Sequence, residues 1–343
     1  MTIREIAQIC GVSRGTVDRV INGRGKVHPE TEKRIMEALE KAGYQKNILG
    51  RALTVRKLNP IIGVVLSSEG NPFFEDVLLG IKKAETELMD YGIKVRLLPM
   101  RGYKKLKQLE LIESVESEIA ALVLHPINDK LIIDKVNQLH EKGIPTITVN
   151  SDIEGSARLC YVGSDYEKGG KTAAGIVRLV TGGKARLGIV MGVASVLGHR
   201  QRLEGFVSHI KAACPGIEID GMVSAQDDDE IAYKATMELL KKRKKIDTMM
   251  VIAAGMEGVC RAVKEINKDR EISIFGFDDT PATKRGMADG MIKAVICQQP
   301  LEQGYRGVKA AFDWILTGAV SGERVIMENQ IRITENINEL EGK

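Results

Sequence analysis

The chain has 343 residues, 43% hydrophobic and 28% charged, with a net charge of +4. That length exceeds one ordinary core, and the balance is that of a soluble multidomain protein rather than a disordered one. No apolar run approaches the roughly 18 to 20 residues of a membrane span, and MTIREIAQIC lacks a secretory h-region, so no membrane is implied and the expected location is the cytoplasm.

Charge is unevenly placed. Residues 1 to 58 hold twelve Lys/Arg against six Asp/Glu, while the remainder holds 38 against 40. A small basic head on a near-neutral body is the pattern of a chain whose head alone meets a polyanion. The five cysteines (Cys10, Cys160, Cys214, Cys260, Cys297) are scattered and contain no C-x-x-C pair, which argues for buried thiols over disulfides or a zinc site.

In chain order, Thr2 and Glu5 have capping-box spacing, and Ile3, Ile6, Ala7 and Cys10 recur on one face, predicting a helix from Thr2 to about Cys10. Gly11 ends it. Ser13 is placed to cap a second helix that buries Val17, Val20 and Ile21, after the short turn Cys10, Gly11, Val12; this is helix-turn-helix spacing. Asn22 and Gly23 stop that helix, and Pro29 and Glu30 open a third with Ile35, Ala38 and Leu39 inward. The second helix of such a motif enters the major groove. Arg14, Gly15 and Asp18 then face base edges, and Thr16, Arg19, Asn22, Arg24 and Lys26 suit phosphates.

The stretch IREIAQICGVSRGTVDRVINGRGKVHPETEKRIMEALEKAGY resembles the DNA-binding domain of the lactose-repressor (LacI/GalR) family over the whole head. The resemblance implies that Arg14, Gly15 and Arg19 read the half-site and that Ser13 and Thr16 contact phosphate. Two positions depart from the family: Asp18 stands where Ser is usual, and Gly15 carries no base-reading side chain.

Residues 46 to 58, KNILGRALTVRKL, are basic, with an apolar stripe of Ile48, Leu49, Ala52 and Leu53 and no partner within the segment. A helix this short is marginal alone. In the resembling family the segment forms a hinge helix on DNA and a Leu wedges the minor groove; Leu53 aligns with that wedge. Gly50, where the family commonly has Ala, weakens the helix by up to ~1 kcal/mol.

From residue 59 onward, apolar runs at 61 to 66, 93 to 98, 120 to 125, 145 to 150, 186 to 191, 247 to 254, 272 to 277 and 292 to 297 alternate with amphipathic stretches. Short continuous apolar strands separated by helices mean parallel sheets covered on both faces. The repeated order predicts two open Rossmann-like α/β subdomains with a cleft between them. Their expected extents are about 59 to 161 plus 298 to 320, and about 162 to 297 plus 321 to 343, behind a helix-turn-helix head of 1 to 45 and a hinge of 46 to 58.

Ligands of such sheets bind at the carboxyl ends of strands. That rule selects Asn71, Phe73 and Phe74; Asn150, Ser151 and Asp152; His199, Arg200 and Arg202; Asp278 and Asp279; and Gln298. Rings, amides, an arginine and a carboxylate suit a polyol, whose apolar faces stack while its hydroxyls pair. Tyr103, Tyr305 and Trp314 are expected in the core or an interface.

This half resembles the ribose-binding type of periplasmic binding fold (type I), through NPFF, RQRLEGF, GFDDTP and QQP. The resemblance places Asn71, Phe73, Phe74, Arg200, Asp278 and Gln298 on sugar contacts. Asn150-Ser151 and Gly255-Met256 stand where the family has charged or amide pairs, leaving a less charged pocket suited to a neutral pentose, hexose or cyclitol. No Walker loop, H-E-x-x-H or G-x-S-x-G is present, so an enzyme is not expected, and neither is a cofactor. A transport binding protein is the rival for the body alone; the head sets it aside. The expectation is a sugar-controlled regulator, most simply a repressor, that binds operator DNA as a homodimer, with a tetramer left open.

Overall fold

The computed structural model describes residues 2 to 21, 25, 27 to 42, 48 to 266 and 271 to 337. Three helices form the head: α1 (Ile3–Ile9), α2 (Arg14–Ile21) and α3 (Pro29–Lys41). The capping box closes as its sequence requires. The Thr2 hydroxyl accepts from the Glu5 N–H at 3.3 Å, and the Glu5 carboxylate accepts from the Thr2 N–H at 2.8 Å, pairing two amides that a helix start leaves open. Gly11 makes the turn at φ +58°, and the Ser13 hydroxyl accepts from the Thr16 N–H at 3.1 Å to begin α2. Ile6, Ala7, Cys10, Val17 and Ile35 form the core, one or more from each helix. The three helices therefore stand only together.

After α4 (Ile48–Leu58) the body folds as two lobes. The first carries β1 (Ile61–Glu69), α5 (Phe73–Leu88), β2 (Lys94–Arg101), α6 (Lys105–Glu113), β3 (Ile119–Leu124), α7 (Lys130–Glu141), β4 (Thr146–Val149) and β5 (Cys160–Ser164). The second carries α8 (Tyr166–Val180), β6 (Ala185–Met191), α9 (Leu197–Ala213), β7 (Ile217–Ser224), α10 (Asp229–Lys242), β8 (Thr248–Val251), α11 (Met256–Ile266), β9 (Ser273–Phe277), α12 (Pro281–Ala288) and β10 (Ile292–Cys297). The chain then returns through α13 (Pro300–Thr317) and β11 (Arg324–Met327) to the first lobe and ends its described part with β12 (Gln330–Arg332) in the second.

Strand order is β11-β5-β4-β3-β1-β2 in one sheet and β12-β10-β9-β8-β6-β7 in the other. Pairing is parallel throughout except for β12, which runs antiparallel to β10. Central strands such as β4 and β8 are buried along their whole length, which is why they read as unbroken apolar runs. All eight expected strands form. Four more were not anticipated: β7, β11 and β12 lie at sheet edges, where burial alternates and the apolar signal fades, and β5, though buried throughout, is only five residues long.

The expected lobe limits shift accordingly. β5 pairs with β4, so the first lobe runs through Ser164 rather than ending at 161, and β11 pairs with β5, so 324 to 327 belong to the first sheet rather than the second. Crossings between lobes fall next to Asp165, at Gln298 and Gln299, and between β11 and β12. All five cysteines are buried and free. Among the described residues no helix is long and apolar enough to cross a membrane.

The connector helix finds its partner outside its own segment: α4 lies on the first lobe against α13 and the 3-10 turn Met89–Tyr91. Val55 is buried and Ala52 packs on the lobe's core, while an Arg51 guanidinium N–H points to the Thr317 carbonyl at 3.5 Å. Gly92, at φ +75°, lets the Arg56 carbonyl approach; a Cβ there would lie 2.8 Å from that oxygen. Tertiary contact thus supplies the stabilisation that an isolated helix of this length lacks.

Candidate functional sites

The outer face of α2 presents Ser13, Arg14, Gly15, Asp18 and Arg19 to solvent, with Thr16 half-buried. Arg19 is preorganised along its own helix: its Nε–H donates to the Gly15 carbonyl at 3.2 Å and one Nη lies 3.5 Å from the Thr16 hydroxyl, which itself pairs with Ser13 at 2.9 Å. A Cβ at Gly15 would meet nothing closer than the Ser13 hydroxyl at 3.7 Å, so internal packing does not require glycine there. Asn22 and Arg24, expected at the nucleic acid, lie outside the described residues, as do Gly23 and Lys26. Leu53, the expected wedge, is 63% exposed on the side of α4 turned from the body.

Between the lobes lies a cleft of about 800 Å³ of empty space, open solvent at its mouth included. The first lobe lines it with Asn71, Phe73, Phe74, Tyr103 and Asn150, the second with Tyr166, His199, Arg202, Asp227, Gly255, Phe277 and Asp278, and the crossing with Gln298. Asn71 turns its amide oxygen to the Phe73 N–H at 3.1 Å, which holds the start of α5. Phe73 and Phe74 then meet edge to face at 5.3 Å.

Strand ends supply the polar groups. Asn150 after β4 and Asp278 after β9 both adopt left-handed backbone, at φ +63° and +65°, a conformation Asn and Asp tolerate better than most. Gly255, at φ +108°, could not carry a side chain, because a Cβ would fall 2.8 Å from that of Ala232. Its place in the cleft is therefore filled by backbone alone. Gln298 donates its amide to both Asp278 oxygens at 2.9 and 3.1 Å. Burial pushes the Asp278 carboxyl up to about 6, with Arg202 and Gln298 pulling the other way.

Two expected contacts are corrected. Arg200 is exposed and does not line the cleft; two residues along α9 rotate a side chain by about 200°, and it is Arg202 that faces inward. Arg202 is 3% exposed, donates an Nη–H to the Ile252 carbonyl at 2.9 Å, and lies between the rings of Phe277 (4.0 Å) and Tyr166 (4.9 Å). The α8–α9 crossing that sets this orientation is close because it is glycine against backbone: a Cβ at Gly170 would stand 2.1 Å from the Arg202 carbonyl. Ser151 is fully buried behind the cleft, its hydroxyl 3.5 Å from the Gly198 N–H of the other lobe. It joins the lobes rather than lining the pocket. Asn150 does the same from its backbone, since the Tyr166 hydroxyl donates to its carbonyl.

Head and body match known families separately. The description "Bacterial regulatory proteins, lacI family" fits residues 2–47, and "Periplasmic binding protein domain" fits residues 62–318. The chain belongs to the periplasmic-binding-protein domain family and carries a lacI-family head. It is accordingly a lacI-family DNA-binding regulator with a body of sugar-binding-protein architecture. Curated relatives agree in organisation: the HTH-type transcriptional regulator CelR of Thermobifida fusca is 26% identical over 98% of both chains. Catabolite control protein A of Priestia megaterium is 24% identical over 82% of this chain and 83% of its own. The ribose operon repressor of Bacillus subtilis is 28% identical over 82% of each. Among solved structures, a solute-binding protein of Bacillus halodurans with bound myo-inositol superposes with a TM-score of 0.73 at 21% identity, covering 82% of this chain and 96% of that one. One from Burkholderia graminis in complex with D-arabinose reaches 0.77 at 20%, covering 82% and 97%.

Several cleft residues of this lacI-headed regulator escaped the sequence. Tyr103, expected in the core, lines the pocket. Tyr166 sits at the first turn of α8, after β5, a strand the sequence reading did not include. Asp227 follows β7, a strand whose edge pattern hid it; had that strand been recognised, the strand-end rule would have selected Asp227 as it selected Asp278.

Proposed function

We propose that this regulator is a cytoplasmic homodimeric repressor whose grip on operator DNA is set by a neutral pentose, hexose or cyclitol held between the lobes. One observation carries the reading: the cleft combines ring faces with buried polar atoms that have no hydrogen-bond partner among the described residues. Those atoms are both Asp227 oxygens, Gln298 Oε1 and Arg202 Nε. Buried polar groups are costly when unpaired, so a ligand that offers hydroxyls on an apolar ring is the natural complement. In this reading Asn71, Phe73, Phe74, Asn150, Arg202, Asp278 and Gln298 form the binding set, with the backbone of Gly255 allowing close approach.

Coupling runs through α13. Its first residues hold the cleft, where Gln303 donates to the Gln298 carbonyl at 2.7 Å and accepts from Asn150 at 3.4 Å. Its last turn holds α4 through Thr317 and Arg51. Eighteen residues of helix span roughly 27 Å. Ligand-dependent lobe orientation therefore reaches the hinge through one rigid rod, altering the placement of Leu53 and of the paired heads, whose two half-sites supply affinity that one small module lacks. Ser13, Arg14, Gly15, Thr16, Asp18 and Arg19 face the duplex.

The test is a thermal-shift panel of D-ribose, D-arabinose, D-xylose, D-glucose, D-galactose and myo-inositol, followed by binding to fragments of the source genome with and without the stabilising polyol. Arg19→Ala weakens that binding and lowers its salt slope by about one. A protein with no salt-sensitive association with any duplex refutes the proposal.

A further inference from the structure

Asp227 is the anomaly of the cleft. Its side chain is 6% exposed, and neither carboxylate oxygen has a hydrogen-bond partner among the described residues. The nearest cationic candidate, His199 Nδ1, stands 3.9 Å away, and burial lowers the pKa of that imidazole, with Asp227 only partly opposing. Tyr103 faces it from the other lobe, where burial first and then this carboxylate raise the phenol's pKa.

The fold holds this carboxylate in place despite a cost. Gln226 and Asp227 are consecutive left-handed residues, at φ +50° and +59°, a conformation unfavourable for Gln226 and only better tolerated by Asp227. The backbone of Gly192 presses close beneath: a Cβ there would lie 2.5 Å from Asp227 Oδ1 and 2.7 Å from His199 Nδ1. The other carboxylates of the cleft are engaged. Asp229 accepts from the Gly258 N–H at 3.2 Å, Glu257 pairs with Arg285, and Asp278 holds Gln298. The guanidinium of Arg202 gives one Nη–H to the Ile252 carbonyl and lies against two rings, leaving its Nε–H as a donor that suits a hydroxyl but not the Asp227 carboxylate's role as acceptor.

We infer that Asp227 is the specificity carboxylate of the cleft, accepting two adjacent hydroxyls of a neutral polyol and excluding sugars that carry a carboxylate or phosphate. This rests on the polyol reading above and deepens it. A carboxylate shielded from water is satisfied only by donors, and two syn acceptor oxygens match a vicinal diol. An anionic group in the same place meets a like charge at low dielectric.

The experiment is calorimetric titration of native protein, Asp227→Asn and Asp227→Glu with the six neutral polyols named above, together with D-glucuronate, D-galacturonate, glucose 6-phosphate and ribose 5-phosphate. Native protein binds a neutral polyol and not its acidic counterparts. Asp227→Asn loses on the order of 10- to 100-fold in affinity for that polyol and narrows the gap to the uronates. Asp227→Glu keeps the exclusion of acids while losing the polyol. Empty Asp227→Asn also melts higher than native, because a buried unpaired charge is gone. An Asn variant that binds the same polyol within twofold overturns this assignment and leaves the polyol reading standing, whereas native protein that prefers a uronate or phosphate overturns both. If no sugar of either kind binds, both fall.

Discussion

Docking of α4 on the first lobe is the feature that most directly ties the body to the DNA-binding end, and Val55→Ala probes it. Val55 is 6% exposed and sits under α4 against the lobe. Truncation removes two methyl groups at ~0.8 kcal/mol each, about 1.6 kcal/mol in all, which shifts the docking equilibrium roughly 15-fold toward the undocked helix. An undocked helix of eleven residues does not hold its hydrogen bonds in water. Hydrogen exchange of the α4 amides, followed by mass spectrometry without DNA, therefore accelerates about 15-fold in Val55→Ala while the β1 amides do not change. Leu53→Ala, at an exposed position, has little effect. Identical α4 exchange in native protein and Val55→Ala, or α4 amides unprotected in the native protein, refutes the docked hinge.

Two further outcomes follow from the cleft. Arg202→Met abolishes the thermal shift given by a stabilising polyol and Arg200→Ala retains it; the reverse result restores Arg200 as the sugar contact. Asp278 makes stability depend on pH. Its folded pKa of about 6 lies above the ordinary 3.8, so its stabilising share is complete below pH 4 and disappears as pH rises through 6. The always-neutral Asp278→Asn lacks that loss, and its advantage over native protein in urea unfolding grows by up to about 3 kcal/mol between pH 4 and 7. A difference that stays flat with pH removes the burial argument.

The sequence alone determined what local chemistry determines. The capping box of Thr2 and Glu5, the Gly11 turn and the Ser13 cap act within four residues, and the head folded as they dictate. Seven of the eight apolar runs specified parallel strands because burial on both faces leaves no alternation to misread; the eighth, β2, lies largely exposed at a sheet edge. Asn71, Phe73, Phe74, Asn150, Asp278 and Gln298 were legible because strand ends in a known register project into the cleft. Tertiary structure decided the rest. Arg200 and Arg202 differ only in rotation about α9, which the glycine crossing with α8 fixes. β7 and β11 carry weak patterns because they sit at sheet edges with one face partly in water, and with β7 went Asp227. The hinge found its partner in a helix that begins some 250 residues later, a contact that no window of sequence contains.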